Sequence, residues 1–178
     1  MSATKYDFNL LVSCPWGGYA RAKREIARIL DEIGDKQPKI QMTLARGIIG
    51  LRTTLDPRSV IREIRSFFEK DPSVIQHTLK WVPVDLWTDS TIQSIKEAVG
   101  TLRGRIEPGE AWRMTVEKRR YTSLHKMDII RDVAELIDEK VDLTNPKKIL
   151  RIDIMGRYAA ISVLKPEEIF SVTKAYSL

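Results

Sequence analysis

The chain has 178 residues, of which 43% are hydrophobic and 30% charged, the composition of a folded protein with a heavily charged surface. Lys and Arg number 30 against 24 Asp and Glu, a net charge of +6 that is shared evenly between the two halves, so local clustering tells more about partners than the total does. A single cysteine, Cys14, excludes an internal disulfide and a thiolate zinc cluster, and no apolar run approaches the roughly 18 residues of a membrane span. Met1–Asp7 has neither an apolar signal core nor an Arg-rich presequence, so the cytoplasm is the expected compartment, with no membrane partner.

Lys5–Ser13 alternates and then runs apolar through Leu10, Leu11 and Val12, the pattern of a strand. Cys14-Pro-Trp-Gly-Gly18 breaks it. Ala22, Ile26, Ile29, Leu30 and Ile33 recur at three- and four-residue spacing and predict a helix over 19–33, closed by Gly34. Ile40–Leu44 and Ile48–Thr53 read as short strands joined through Ala45-Arg-Gly47. Asp56-Pro57 opens a second helix, with Asp as cap and Pro at the first helical position. Val60, Ile61, Ile64, Phe67 and Phe68 form its apolar stripe, and Asp71-Pro72 ends it. His77–Leu86 is extended, and Pro83 points to an edge position because it has no N–H to donate. Strand, helix, strand, strand, helix, strand is the ferredoxin-like order.

The second half has a different order. Thr88-Asp89-Ser90 offers caps for a helix over 91–102, and Ala111–Glu117 alternates as a strand. Ser123 is the expected cap of a longer helix reaching Glu139. Ile149–Ile154 and Ala159–Leu164 read as strands joined through Met155-Gly-Arg157, and Pro166 starts a last helical turn. No Gly- or Ser-rich linker separates the halves. The expected fold class is α+β / α/β, with a ferredoxin-like domain at 1–87 packed on a second α/β domain at 88–178.

Few residues suggest catalysis. Gly104 and Gly109 have the spacing of a phosphate-binding loop, but Glu110 and Ala111 stand where lysine and a hydroxyl residue are needed. No Gly-x-Gly-x-x-Gly follows a strand. Asn145-Pro-Lys-Lys148 lacks the second proline and the aromatic residue of an amino-methyltransferase loop. His77 and His125 are the only histidines and have no metal spacing. No catalytic residue, cofactor, metal or small-molecule substrate is expected.

Between Arg103 and Lys126 lie seven basic side chains and three glutamates. The strand at 111–117 runs directly into Lys118, Arg119 and Arg120, which cannot all be buried. Tyr121 beside them could stack on a base, and the helix expected from Ser123 would aim its amides at the same region. These features fit phosphate contact through Lys118, Arg119 and Arg120, flanked by Arg103, Arg105 and Lys126, with Arg157 as a further member.

Val116-Glu-Lys-Arg-Arg120, Asp128-Ile-Ile-Arg-Asp-Val-Ala-Glu-Leu-Ile137, Val141-Asp-Leu-Thr-Asn-Pro146 and Ile161-Ser-Val-Leu164 together resemble a THUMP domain. Pro166-Glu-Glu-Ile-Phe-Ser-Val172 resembles the segment that closes such domains. Tyr121 and Ala160 stand where glycine is common. The resemblance implies tRNA modification, recognition of the acceptor end of tRNA, and a ferredoxin-like domain alongside. A chain ending soon after Val172 resembles the stand-alone adaptor that helps a partner RNA acetyltransferase form N4-acetylcytidine. Alternatives are the RNA-binding subunit of a thiolation or methylation system, or a ferredoxin-like small-molecule-binding regulator.

Overall fold

The computed structural model describes residues 6–121 and 123–175. The elements begin with β1 (Leu10–Ser13), α1 (Tyr19–Ile33), β2 (Lys39–Met42), β3 (Ile48–Arg52), α2 (Pro57–Lys70) and β4 (Lys80–Pro83). They continue with β5 (Leu86–Asp89), α3 (Ile92–Leu102), β6 (Trp112–Arg119), α4 (Lys126–Ala134), β7 (Lys148–Met155) and β8 (Tyr158–Leu164). The chain closes with β9 (Phe170–Ser171) and α5 (Val172–Ala175). It divides into two compact units, one built from 8–83 with 167–175 and the other from 6–7 with 84–166. No helix among the described residues is long and apolar enough to cross a membrane.

The first unit holds one antiparallel sheet in the order β2-β3-β1-β4-β9. Its core joins Leu10 and Val12 of β1 to Ile26 and Leu30 of α1 and to Ile61 and Ile64 of α2. The caps work as their residue types dictate. Asp56 accepts the Ser59 amide at 2.9 Å with Pro57 behind it, and Gly34 ends α1 in the left-handed region with φ 127°. The β2–β3 turn requires glycine twice over. Gly47 has φ 75°, and a Cβ there would stand 2.9 Å from the Cys14 carbonyl oxygen.

The segment after Pro166 departs from the sequence reading, which places it in the second half. Its strand β9 pairs with β4 in the first sheet, Lys80 against Ser171 and Trp81 against Phe170. Burial decides this. Phe170 is fully buried and meets Phe68 edge-on at 5.4 Å, and Arg65 donates to the Glu167 carbonyl at 2.7 Å. β9 reaches β4 only through Lys80 and Trp81, short of Pro83.

The second unit holds the order β5-β8-β7-β6, with β6 and β7 parallel and the other pairs antiparallel. Trp112 and Val116 of β6, Leu150, Ile152 and Ile154 of β7, and Ala159 and Ile161 of β8 form its core with α3 and α4. Helix α4 is shorter than the spacing predicts. It starts at Lys126, with His125 rather than Ser123 at the cap, and stops at Ala134. Beyond it the backbone serves tertiary partners. Arg103 donates to the Leu136 carbonyl at 3.2 Å, and the Trp112 indole to that of Glu139 at 2.8 Å.

Candidate nucleic-acid interface

Strand register sorts the seven cations singled out in the sequence. Arg119 lies against Met155, Met155 against Tyr158, and Tyr158 against Asp89, so these residues mark one end of the second sheet. The ends of β6 and β5, the β7–β8 turn and the start of α4 meet there, and with them Lys118, Arg119, Arg120, Lys126 and Arg157. Arg103 and Arg105 stand at the opposite end, where Lys148 opens β7 and donates to the Arg105 carbonyl at 2.6 Å. Eight residues of β6 separate the two ends, about 25 Å at strand rise. The two expected flankers thus do not join the triplet. Arg105 instead pairs with the buried Asp85 at 2.9 Å.

Alternation gives the triplet three different environments. Lys118 shares the face of Trp112 and Val116, and its ammonium reaches the Leu124 carbonyl at 2.6 Å and lies 5.9 Å from the Tyr121 ring centroid. It pins the loop that follows β6. Arg119 is on the other face, 30% exposed, and bonds Asp153 at 3.2 Å. That carboxylate is shared, because Arg151 also bonds both of its oxygens, at 2.8 and 3.2 Å. One carboxylate against two guanidiniums leaves positive charge over. Arg120 is exposed in the left-handed region at φ 53°, with no ion pair among the described residues.

Ser90 ties the neighbouring loops together. Its amide donates to the Arg157 carbonyl at 2.9 Å, its hydroxyl to the Gly156 carbonyl at 2.8 Å, and its own carbonyl accepts the Tyr121 hydroxyl at 2.8 Å. The Gly156 amide donates to the Arg119 carbonyl at 2.9 Å. Tyr121 is therefore half-buried and packed against the core rather than displayed for stacking, and burial pushes its phenol pKa up. Arg157 is exposed with its guanidinium 5.5 Å from the Tyr158 ring centroid. Lys126 is exposed in the first turn of α4, whose N-terminus has no side-chain cap among the described residues. The positive end of the helix dipole favours an anion there, against the Asp128 carboxylate of the same turn, which is itself paired with Arg131 at 3.1 Å. Sequence alternation found the triplet. It could not find Ser90, because the hydrogen bonds that make Ser90 a hub span 31 and 66 residues.

His77 lies in the first unit and His125 in the second. The Cys14 thiol is buried and its pKa pushed up by desolvation, which disfavours the nucleophilic thiolate. Among the described residues, no three His, Cys, Asp or Glu side chains are grouped to hold a metal ion.

Residues 89–164 match the THUMP domain family model. Among solved structures the chain is similar to PH1313 from Pyrococcus horikoshii, at 16% identity and TM-score 0.67, over 89% of this chain and 55% of that one. TrmN from Thermus thermophilus matches at 13% identity and TM-score 0.59, over 89% and 46%. A 4-thiouridine synthetase in complex with RNA and bound ATP matches at 12% identity and TM-score 0.55, over 93% and 42%. The likeness is one of fold, and the chain spans about half the length of these structures. No curated protein matches the sequence. The sheet and helices that carry the basic end at Arg120 belong, over residues 89–164, to a THUMP domain.

Proposed function

We propose that the chain is a non-catalytic tRNA-binding adaptor for a tRNA-modifying enzyme, supporting N4-acetylcytidine formation by a partner RNA acetyltransferase. One observation carries the RNA-binding part. Arg120, Lys126 and Arg157 gather at one end of the THUMP sheet, exposed and without ion pairs among the described residues, around the N-terminus of α4. Phosphates would be bound there, with Arg119 adding its shared charge, and the acceptor end of tRNA is the part held. Lys118 serves by holding the loop, and Arg103 and Arg105 lie outside the interface. The first unit is read as ferredoxin-like, on the order β2-β3-β1-β4 of its antiparallel strands.

The adaptor role rests on the sequence resemblance and on chemistry. Acetyl transfer to a cytosine amine needs a base within hydrogen-bond reach of the amine proton. The two histidines of this chain lie in separate units, and its thiol is buried. Its contribution would be to position tRNA for a partner that holds the acyl carrier. Nucleoside analysis of tRNA incubated with acetyl-coenzyme A and this chain, the partner, or both tests this. N4-acetylcytidine should form only with both. Product from this chain alone overturns the adaptor reading. A second reading, service to a thiolation system, draws on the likeness to a 4-thiouridine synthetase. Deleting the gene and finding thiouridine absent, with N4-acetylcytidine intact, would select it.

A further inference from the structure

The first unit has a basic surface of its own. A cleft of about 470 Å³ opens between α1 and the segment before β4. Arg21, Arg24 and Arg28 line it at helical spacing, with Glu25, Gln76 and His77. The one carboxylate is already committed. Glu25 is buried and accepts the amides of Gln76 at 2.6 Å, Thr78 at 2.7 Å and His77 at 3.1 Å. Arg28 donates to the Val74 carbonyl at 2.5 Å and fixes one wall. Arg21 and Arg24 are exposed, with no hydrogen bond or ion pair among the described residues. Arg28 is also paired with Glu32 at 3.6 Å, so Arg21 and Arg24 are the guanidiniums that the cleft presents without an ion pair among the described residues.

An exposed aromatic platform stands at the same end of that sheet. The Cys14 amide donates to the Gly47 carbonyl at 2.9 Å, which ties the β1–α1 link to the β2–β3 turn. On these tied loops Trp16 is 76% exposed, with the Arg46 guanidinium 4.6 Å from its ring centroid. The Leu79 amide donates to the Ser13 carbonyl at 2.8 Å, which brings the segment bearing His77 to this end too. A stacking surface beside a cationic groove is the combination by which proteins hold single-stranded nucleic acid.

We infer that this end of the first unit is a second RNA-binding surface for single-stranded RNA, with backbone phosphate in the arginine cleft and an unpaired base on Trp16. It rests on the RNA-binding reading above, and it assigns to the first unit a separate share of the affinity. The test uses the full chain and a tRNA transcript with an intact CCA end, with affinity measured over a salt series. Arg21→Gln with Arg24→Gln should flatten the slope of log affinity against log salt by about 0.7 for each single-strand phosphate no longer neutralised. Trp16→Ala should lower affinity by about 5- to 100-fold and leave the slope unchanged, since stacking releases no counterion. All three side chains are exposed, and thermal melts should coincide with wild type. Wild-type binding that these variants leave unaltered overturns the second surface alone. A wild type without affinity for tRNA overturns both this surface and the reading it rests on.

Discussion

The Tyr121 hydroxyl donates to the Ser90 carbonyl at 2.8 Å, and so joins the loop after β6 to the junction of β5 and α3. Ser90 passes the connection on to Gly156. Segments far apart in the chain thus present Arg120 and Arg157 from one fixed platform. Tyr121→Phe keeps the ring and removes the bond. It should cost about 1 kcal/mol in urea denaturation, the usual net worth of such a hydrogen bond. An unchanged unfolding midpoint would show that the loop is held by Lys118 alone.

Arg120 adopts a backbone conformation that favours glycine. Arg120→Gly should therefore be more stable than Arg120→Ala by about 1 kcal/mol, because only the alanine keeps a Cβ in the left-handed region. The two variants should lose the same amount of tRNA affinity, because both lose the same charge. Equal melting temperatures would remove the backbone argument, and full affinity in either variant would remove Arg120 from the phosphate-binding set.

Asp153 is 4% exposed and holds Arg151, itself 8% exposed, as well as Arg119. Asp153→Ala leaves Arg151 buried without its carboxylate and should cost about 3 kcal/mol or more. Arg119→Ala leaves the inner pair intact and should cost under about 1 kcal/mol. Chemical denaturation of the two variants measures the difference, and similar losses would show that the outer guanidinium is as structural as the inner one.

The Asp56 cap gives a pH-dependent prediction. Its pKa is held below the usual carboxylate value first by the Ser59 hydroxyl, then by the Ser59 amide and nearby arginines. A depressed folded pKa adds stability above the unfolded pKa, and this is lost as pH falls through the folded one. Asp56→Ala should cost about 1 kcal/mol at neutral pH. The gap to wild type should close below about pH 4, where the unfolded carboxyl begins to protonate. Denaturation at pH 7 and pH 3 checks it, and a gap that persists undiminished would mean that the carboxylate charge is irrelevant to the cap.

Local signals made much of each unit legible. Helix α1 runs from Tyr19 to Ile33 because its apolar spacing and Gly34 agree on both ends. Helix α2 follows from Asp56-Pro57 in the same way. What escaped depends on distant partners. Strand β5 is four residues at a sheet edge whose partner β8 lies about 70 residues on, and its Thr88 and Asp89 look like helix caps. Strand β9 is two residues held by one buried Phe170. Helix α4 ends early because Arg103 and Trp112 take carbonyls beyond Ala134. At the basic end, Lys118, Arg119 and Arg120 were legible as a triplet. Their unequal roles were not, because Asp153 and Leu124 decide them.

The most direct measurement is the salt dependence of tRNA affinity for wild type and for the triple variant Arg120→Ala, Lys126→Ala, Arg157→Ala. Each phosphate left without its cation should flatten the slope by about 0.7 on single strand or 0.9 on duplex, so the triple variant should be shallower by about 2 to 3. Arg103→Ala, at the far end of the sheet, should leave the slope where it is. A triple variant that binds tRNA with the affinity and slope of the wild type contradicts the assignment of RNA binding to this end of the THUMP domain.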